Sequence, residues 1–190
     1  MRFRPTALAG VTLIELMPSS DERGFFARSF CVNEFAAAGL HTSFVQHSFS
    51  FTHRAGSIRG MHYQRAPHEE VKVLRCLAGA IHDVLVDIRP GSPTFGRWEA
   101  YELTAKNGRQ LYVPAGLAHG FQTLTPDTEV SYLISAFHAP EAAGGIRHDD
   151  PAFAIRWPLP IADVSARDRS WPDWQPEAGL PSRPVLAHTR

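Results

Sequence analysis

From Ser43 to His138 the apolar positions fall in short runs rich in β-branched residues. Val71-Lys72-Val73-Leu74-Arg75-Cys76-Leu77 and Ile81-His82-Asp83-Val84-Leu85-Val86-Asp87-Ile88 are the clearest. Gly79, Pro90-Gly91-Ser92-Pro93, Asn107-Gly108 and Thr125-Pro126-Asp127 interrupt them as turn signals. Strands at that spacing with no helix between them predict an antiparallel sandwich or jelly roll rather than a βαβ fold. Ala78-Gly79-Ala80 reads as a tight hairpin and Asn107-Gly108 as a second turn. One helix is expected in the N-terminal half, Asn33 to Gly39, with Asn33 as N-cap and Gly39 as the C′ glycine. After Pro140 the chain becomes rich in Pro, Trp and charge, which predicts an irregular or helical appendage. The reading is one all-β domain over residues 1–175 and a loosely held tail over 176–190.

Length and composition agree with a single soluble globular domain: 190 residues, 44% apolar and 20% charged. Nineteen basic residues balance nineteen acidic ones. No global field therefore points to nucleic acid or an anionic membrane, and an anionic ligand needs a local cluster. Cys31 and Cys76 form no CxxC and suggest no disulfide framework. No signal-peptide core follows Met1, and no apolar run reaches membrane-spanning length, so a cytoplasmic protein is expected.

Gly108 to His119 fits the pattern G-x5-P-x-G-x2-H, the second cupin motif, with Thr123 where an asparagine is usual. Its physical content is a strand, a tight Pro-x-Gly turn and a histidine aimed into a barrel mouth. Gly56 to Gln64, followed by Glu69 and Glu70, is a degraded first motif. Metal-binding cupins place His-x-His here, because alternate strand residues share a face; this chain has His62-Tyr63-Gln64. His62, His119 and Glu69 remain a conceivable two-histidine, one-carboxylate set for iron. The loss of the chelating pair favours imidazole used for proton chemistry, with no metal.

Further patterns run along the chain in order: Asp21-Glu22-Arg23-Gly24-Phe25-Phe26, Phe44-Val45-Gln46, Arg59-Gly60-Met61-His62-Tyr63-Gln64, and Lys72. Asp83 to Arg89 with Gly91 to Gly96, Val113 to Phe121, Tyr132, Asp149-Asp150-Pro151, Ile155 to Pro158 and Ser165-Ala166-Arg167-Asp168 complete them. Together, over residues 10–175, they resemble the dTDP-4-dehydrorhamnose 3,5-epimerase family. The resemblance implies a cupin jelly roll, usually a homodimer, that acts without metal or other cofactor on a nucleotide-linked 4-keto-6-deoxy sugar. It implies His62 as the base, Asp168 as its carboxylate partner and Tyr132 as the acid on the opposite face. Lys72 and His119 would stand near the C4 oxygen, and Arg23 and Arg59 would hold the diphosphate. Phe26, Arg28, Gln46, Ser48 and His138 fall at substrate-binding positions.

These residue types suit the chemistry. A hydrogen beside a ketone becomes removable when the enolate oxygen is stabilised, as a lysine can do. Imidazole titrates near neutrality, and a carboxylate can fix its tautomer. Standing alone, the same residues read otherwise: Lys72 as a solvated strand lysine, Tyr132 as a core aromatic, Asp168 as part of a solvated polar run, and Arg23 and Arg59 as surface ion-pair partners.

Four positions depart from the family pattern. Arg28 replaces a glutamate associated with the nucleotide base, Ser48 replaces the asparagine of Gln-Asp-Asn, Glu70 stands near a common glutamine, and His138 replaces a tyrosine. Arg28 can donate but not accept, so CDP- and GDP-linked sugars join dTDP-linked ones as expected substrates. Two other functions compete: a metal-dependent cupin oxygenase or isomerase, and a non-catalytic sugar-binding cupin.

Overall fold

The computed structural model describes residues 1–175; the segment 176–190, expected as a tail, lies outside the described residues. Two antiparallel sheets face each other, as a jelly roll requires. The first contains β1 (Arg2–Pro5), β2 (Thr12–Glu15), β5 (Gln46–Thr52), β7 (Lys72–Ala78), β10 (Arg109–Val113) and β12 (Thr128–Ile134), in the order β1-β2-β10-β7-β12-β5. The second contains β6 (Ser57–Gln64), β8 (Ala80–Asp87), β9 (Trp98–Thr104), β11 (Leu117–Thr123) and β13 (Ala143–Gly145), in the order β13-β6-β11-β8-β9. The short β14 (Asp163–Val164) joins β6 in parallel. A separate hairpin, β3 (Ser19–Asp21) with β4 (Gly24–Phe26), is exposed throughout.

Sidedness explains the sequence pattern. Leu74, Cys76, Ile81, Leu85, Leu111, Phe121 and Val130 form the core between the sheets. Val84, Val86, Met61 and Trp98 pack on the other face of the second sheet, under Phe153, Trp157 and Trp174 from the C-terminal segment. Strand β8 is thus buried on both faces, and its run is near-continuous rather than alternating for that reason. The outer face of the first sheet is partly covered by α1 (Val32–Ala37), whose Phe35 is fully buried with Ile14, Val73 and Tyr112. The Gly-Ser-Pro-Thr-Phe-Gly stretch is a clasp: Asp87 Oδ2 accepts from Arg89 at 2.7 Å, Ser92 at 2.6 Å and Thr94 at 2.5 Å.

Both expected turns form, with Gly79 at φ +76° between β7 and β8 and Asn107 Oδ1 accepting from Thr104 and Arg109 N–H groups. Three details differ from the sequence expectation. The helix begins one residue before Asn33, with Cys31 at the N-cap and no side-chain cap, though Gly39 does end it at φ +70°. Strands β1 to β4 lie before Ser43, where strands of three and four residues are too short to give a periodic signal. The run Arg167-Asp168-Arg169 is helix α2 (Ala166–Arg169), started by Ser165, whose Oγ accepts from the Asp168 N–H at 3.0 Å. Asp168 is buried there, not solvated. No helix among the described residues is long and apolar enough to cross a membrane.

Candidate active site

Where the core stops filling the space between the sheets, a cavity of about 700 Å³ opens. Its first wall comes from the first sheet. Residues of β5 alternate, so Gln46, Ser48 and Ser50 point inward, while β7 and β12 add Lys72, Tyr132 and Ile134. The facing wall comes from the second sheet: Arg59 and His62 from β6, and His119 and Phe121 from β11. Asp168 and Arg167 of α2 close one side, and Glu70 and His138 line the cavity from the loops.

Strands β6 and β11 approach so closely that neither Gly60 nor Gly120 can carry a side chain. A Cβ on Gly60 would sit 2.5 Å from Gly120 Cα, and one on Gly120 would sit 2.8 Å from the Arg59 carbonyl oxygen. The register shifts at this crossing and places His62 opposite His119. Asp168 reaches His62 from more than a hundred residues away. Its Oδ1 lies 2.6 Å from His62 Nε2, and its Oδ2 accepts from the Gly60 N–H at 3.4 Å. Burial pushes the Asp168 carboxyl up, but the His62 hydrogen bond and charge, with the Gly60 N–H, outweigh it and hold the pKa below the usual 3.8. An ionised carboxylate can only accept, so His62 Nε2 carries a proton, and in the neutral ring the lone pair lies on Nδ1. The imidazole is about half exposed to the cavity while its partner carboxylate is buried.

Tyr132 stands on the opposite sheet. Burial pushes its phenol well above the ordinary value, the Ser50 hydroxyl at 3.0 Å offsetting only part of this. It is therefore a protonated donor at neutral pH. Its ring lies 6.4 Å from that of His119. A second histidine–carboxylate pair lies behind: His119 Nε2 and Asp83 Oδ2 are 2.8 Å apart and buried. Asp83 Oδ1 has no hydrogen-bond partner among the described residues. Lys72 is not a solvated strand lysine. Its side chain is 12% exposed and its Nζ lies 2.8 Å from Glu70 Oε1.

Arg59 is fixed by neutral partners, donating to Thr52 Oγ1 at 2.8 Å and to the Phe51 carbonyl at 2.9 Å. Arg167 lies over the Trp171 ring at 5.5 Å. Neither guanidinium has a carboxylate partner among the described residues, whereas His62, His119 and Lys72 each do.

The cavity thus gathers nine of the residues singled out from sequence: His62, Asp168, Tyr132, Lys72, Gln46, Ser48, Arg59, His119 and His138. Three are not brought to it within one chain. Arg23 is bound to Asp21 at 2.6 Å on the exposed hairpin, Phe26 is 73% exposed at its end, and Arg28 pairs with Glu34 at 3.2 Å. The set His62, His119 and Glu69 is not assembled: Glu69 is exposed and outside the cavity, and no three His, Cys, Asp or Glu side chains converge on a metal position among the described residues. Asp83, Ser50 and Arg167 were not singled out as site residues. For Asp83 the inward alternation of β8, which sets it beside Ile81 and Leu85 in the barrel, was the available signal.

The family model for dTDP-4-dehydrorhamnose 3,5-epimerase matches residues 5–176. A dTDP-4-dehydrorhamnose 3,5-epimerase of Sinorhizobium fredii is 42% identical over 173 residues, 90% of this chain and 89% of the relative. The crystal structure of the Bacillus anthracis dTDP-4-dehydrorhamnose 3,5-epimerase with TDP and PPi bound superposes with a TM-score of 0.87 at 39% identity, covering 90% of this chain and 98% of that one. ChmJ, a 3'-monoepimerase from Streptomyces bikiniensis in complex with dTDP-quinovose, superposes with a TM-score of 0.83 at 36% identity, covering 88% of this chain and 85% of that one. On the sequence match, the shared fold and the cavity together, the chain belongs to the dTDP-4-dehydrorhamnose 3,5-epimerase family.

Proposed function

We propose that the chain epimerises a nucleoside-diphosphate-linked 4-keto-6-deoxy sugar at C3, beside the ketone, with His62 as base and Tyr132 as acid. One observation carries this reading: an imidazole with a free lone pair and a protonated phenol face one cavity from opposite sheets. An enolate is planar at its reacting carbon, so removal of a proton on one face and its return on the other inverts the centre.

In the forward step His62 Nδ1 takes the C3 proton, the C–H electrons form the C3–C4 double bond, and the C4 carbonyl electrons move to oxygen. The Lys72 ammonium stabilises that oxygen, with His119 nearby; a single well-placed donor of this kind is worth about 10²–10³ in rate. The Asp168 carboxylate stabilises the imidazolium. Tyr132 then donates its proton to C3 from the other side as the C4 carbonyl re-forms. Exchange with solvent returns a proton to the phenolate and takes one from the imidazolium. C5 flanks the same ketone, and the same groups serve there if the sugar presents that carbon.

Arg59 and Arg167, which line the cavity and have no carboxylate partner among the described residues, suit the two charges of a diphosphate. Incubating the protein with dTDP-, CDP- and GDP-linked 4-keto-6-deoxy sugars and reading the product by NMR is expected to show inversion at C3 in at least one of them. An unchanged sugar from all three would sink the proposal. Arg28 only donates, which suits a base edge rich in acceptors, such as the N3/O2 edge of cytosine. A clear preference for dTDP across the panel would remove Arg28 from base recognition.

A homodimer accounts for the residues left outside the cavity. The hairpin carrying Arg23 and Phe26 is fully exposed, and β5, the edge strand, turns Phe49 and Phe51 to solvent. A second copy covering this surface lets the hairpin reach the partner's cavity and add Arg23 to its diphosphate end. Light scattering should give twice the chain mass for the native protein. Phe49→Asp with Phe51→Asp should give a monomer with KM raised about tenfold or more; a native monomer with full activity refutes this part.

A further inference from the structure

Glu70 has no part in the steps above, yet it lines the reaction cavity with only 14% of its side chain exposed. Residues two apart on extended backbone project to the same side, so Glu70 and Lys72 point together into the cavity while Val71 packs into the apolar cluster on the outer face. The backbone here is fixed beyond the end of the strand ladder. Val71 N–H donates to Ser135 Oγ at 2.8 Å, and Ser135 N–H donates to the Val71 carbonyl at 3.0 Å. Glu70 Oε1 lies 2.8 Å from Lys72 Nζ, and no other ion pair holds that ammonium among the described residues.

A lysine side chain has four rotatable bonds and a compact charge, so by itself it does not point in one direction. A carboxylate fixed on one side of the ammonium orients its remaining N–H donors. We propose that Glu70 is a positioning residue for the reaction: its carboxylate contact, 2.8 Å from Lys72 Nζ, aims the ammonium at the C4 oxygen, and it acts on the chemistry only through Lys72. This rests on the role proposed for Lys72.

A double-mutant cycle isolates this coupling. The rate of solvent-hydrogen exchange at C3 is measured in the full-length protein, with kcat and KM, for Glu70→Ala, Lys72→Met and the double variant. Lys72→Met should lose about 10²-fold in kcat, and Glu70→Ala about tenfold with KM changed less than threefold. The double variant should be no slower than Lys72→Met alone. Glu70→Gln, which keeps an acceptor oxygen, should recover most of what Glu70→Ala loses. If Glu70→Ala does not fold, Glu70→Met, of similar volume and unable to accept, replaces it in the cycle.

A wild-type rate for the Glu70 variant, or losses that multiply in the double variant, would overturn the proposal. So would a Glu70→Gln variant as slow as Glu70→Ala. A wild-type rate for Lys72→Met would instead overturn the role of Lys72 itself.

Discussion

Replacing His62 with alanine is expected to abolish solvent-hydrogen exchange at the sugar, with a loss in kcat of about 10³-fold or more. The size follows from position. His62 Nδ1 belongs to an imidazole on the cavity wall that is about half exposed and has a buried carboxylate behind it. His119 also faces the cavity, but it is buried against Asp83 and stands on the same sheet. Its position suits hydrogen bonding to the substrate more than taking over the proton. Circular dichroism and thermal melting should show the variant folded, since His62 is half exposed and fills no core space. Exchange that persists at the wild-type rate in a folded His62→Ala protein would refute its role as base.

Asp168→Asn is expected to lower kcat by about 10²–10⁴-fold while KM moves little. The amide keeps the shape of the carboxylate but can turn its NH₂ toward Nε2, which selects the wrong imidazole tautomer and removes the charge that stabilises the imidazolium. Stability should change as well, and its sign follows from the lowered pKa of Asp168. A carboxylate held below its unfolded value stabilises the fold at pH above that value and loses this contribution as pH falls through the folded pKa. The melting temperature of Asp168→Asn should therefore lie below that of the wild type at neutral pH, with the gap closing below about pH 4. A variant with full kcat, or a gap that widens in acid, contradicts the pairing.

The parts of this protein that were legible in its sequence are those with short-range physical signatures. Glycine and asparagine at turns, β-branched runs between them and the Pro-x-Gly turn before His119 all declare themselves within a few residues. What escaped depends on long-range contact. Asp168 looks solvated among Arg167 and Arg169, and only its helix and the packing of that helix beside β6 bury it against His62. Lys72 alternates with apolar neighbours like a surface residue, and the direction of its strand face follows from the barrel's closure. The resemblance supplied these partners, and the fold supplied their geometry. The edge strand β1 and the exposed hairpin of β3 and β4 bury too little to impose a pattern, and β2, inside the sheet, is only four residues long. Arg23, Phe26 and Arg28 were grouped with the site from the resemblance alone, and within one chain they stand apart from it.

The most direct measurement is the fate of hydrogen at C3 when a nucleotide-linked 4-keto-6-deoxy sugar is turned over in deuterated water and followed by NMR. The account predicts product with inverted configuration at C3 carrying deuterium there, because the phenol that returns the proton has exchanged with solvent. Deuterium at C5 as well would mark the second inversion. Product formed with its original C3 hydrogen retained, or substrate recovered unlabelled and unchanged, would contradict proton transfer between His62 and Tyr132 as the work of this site.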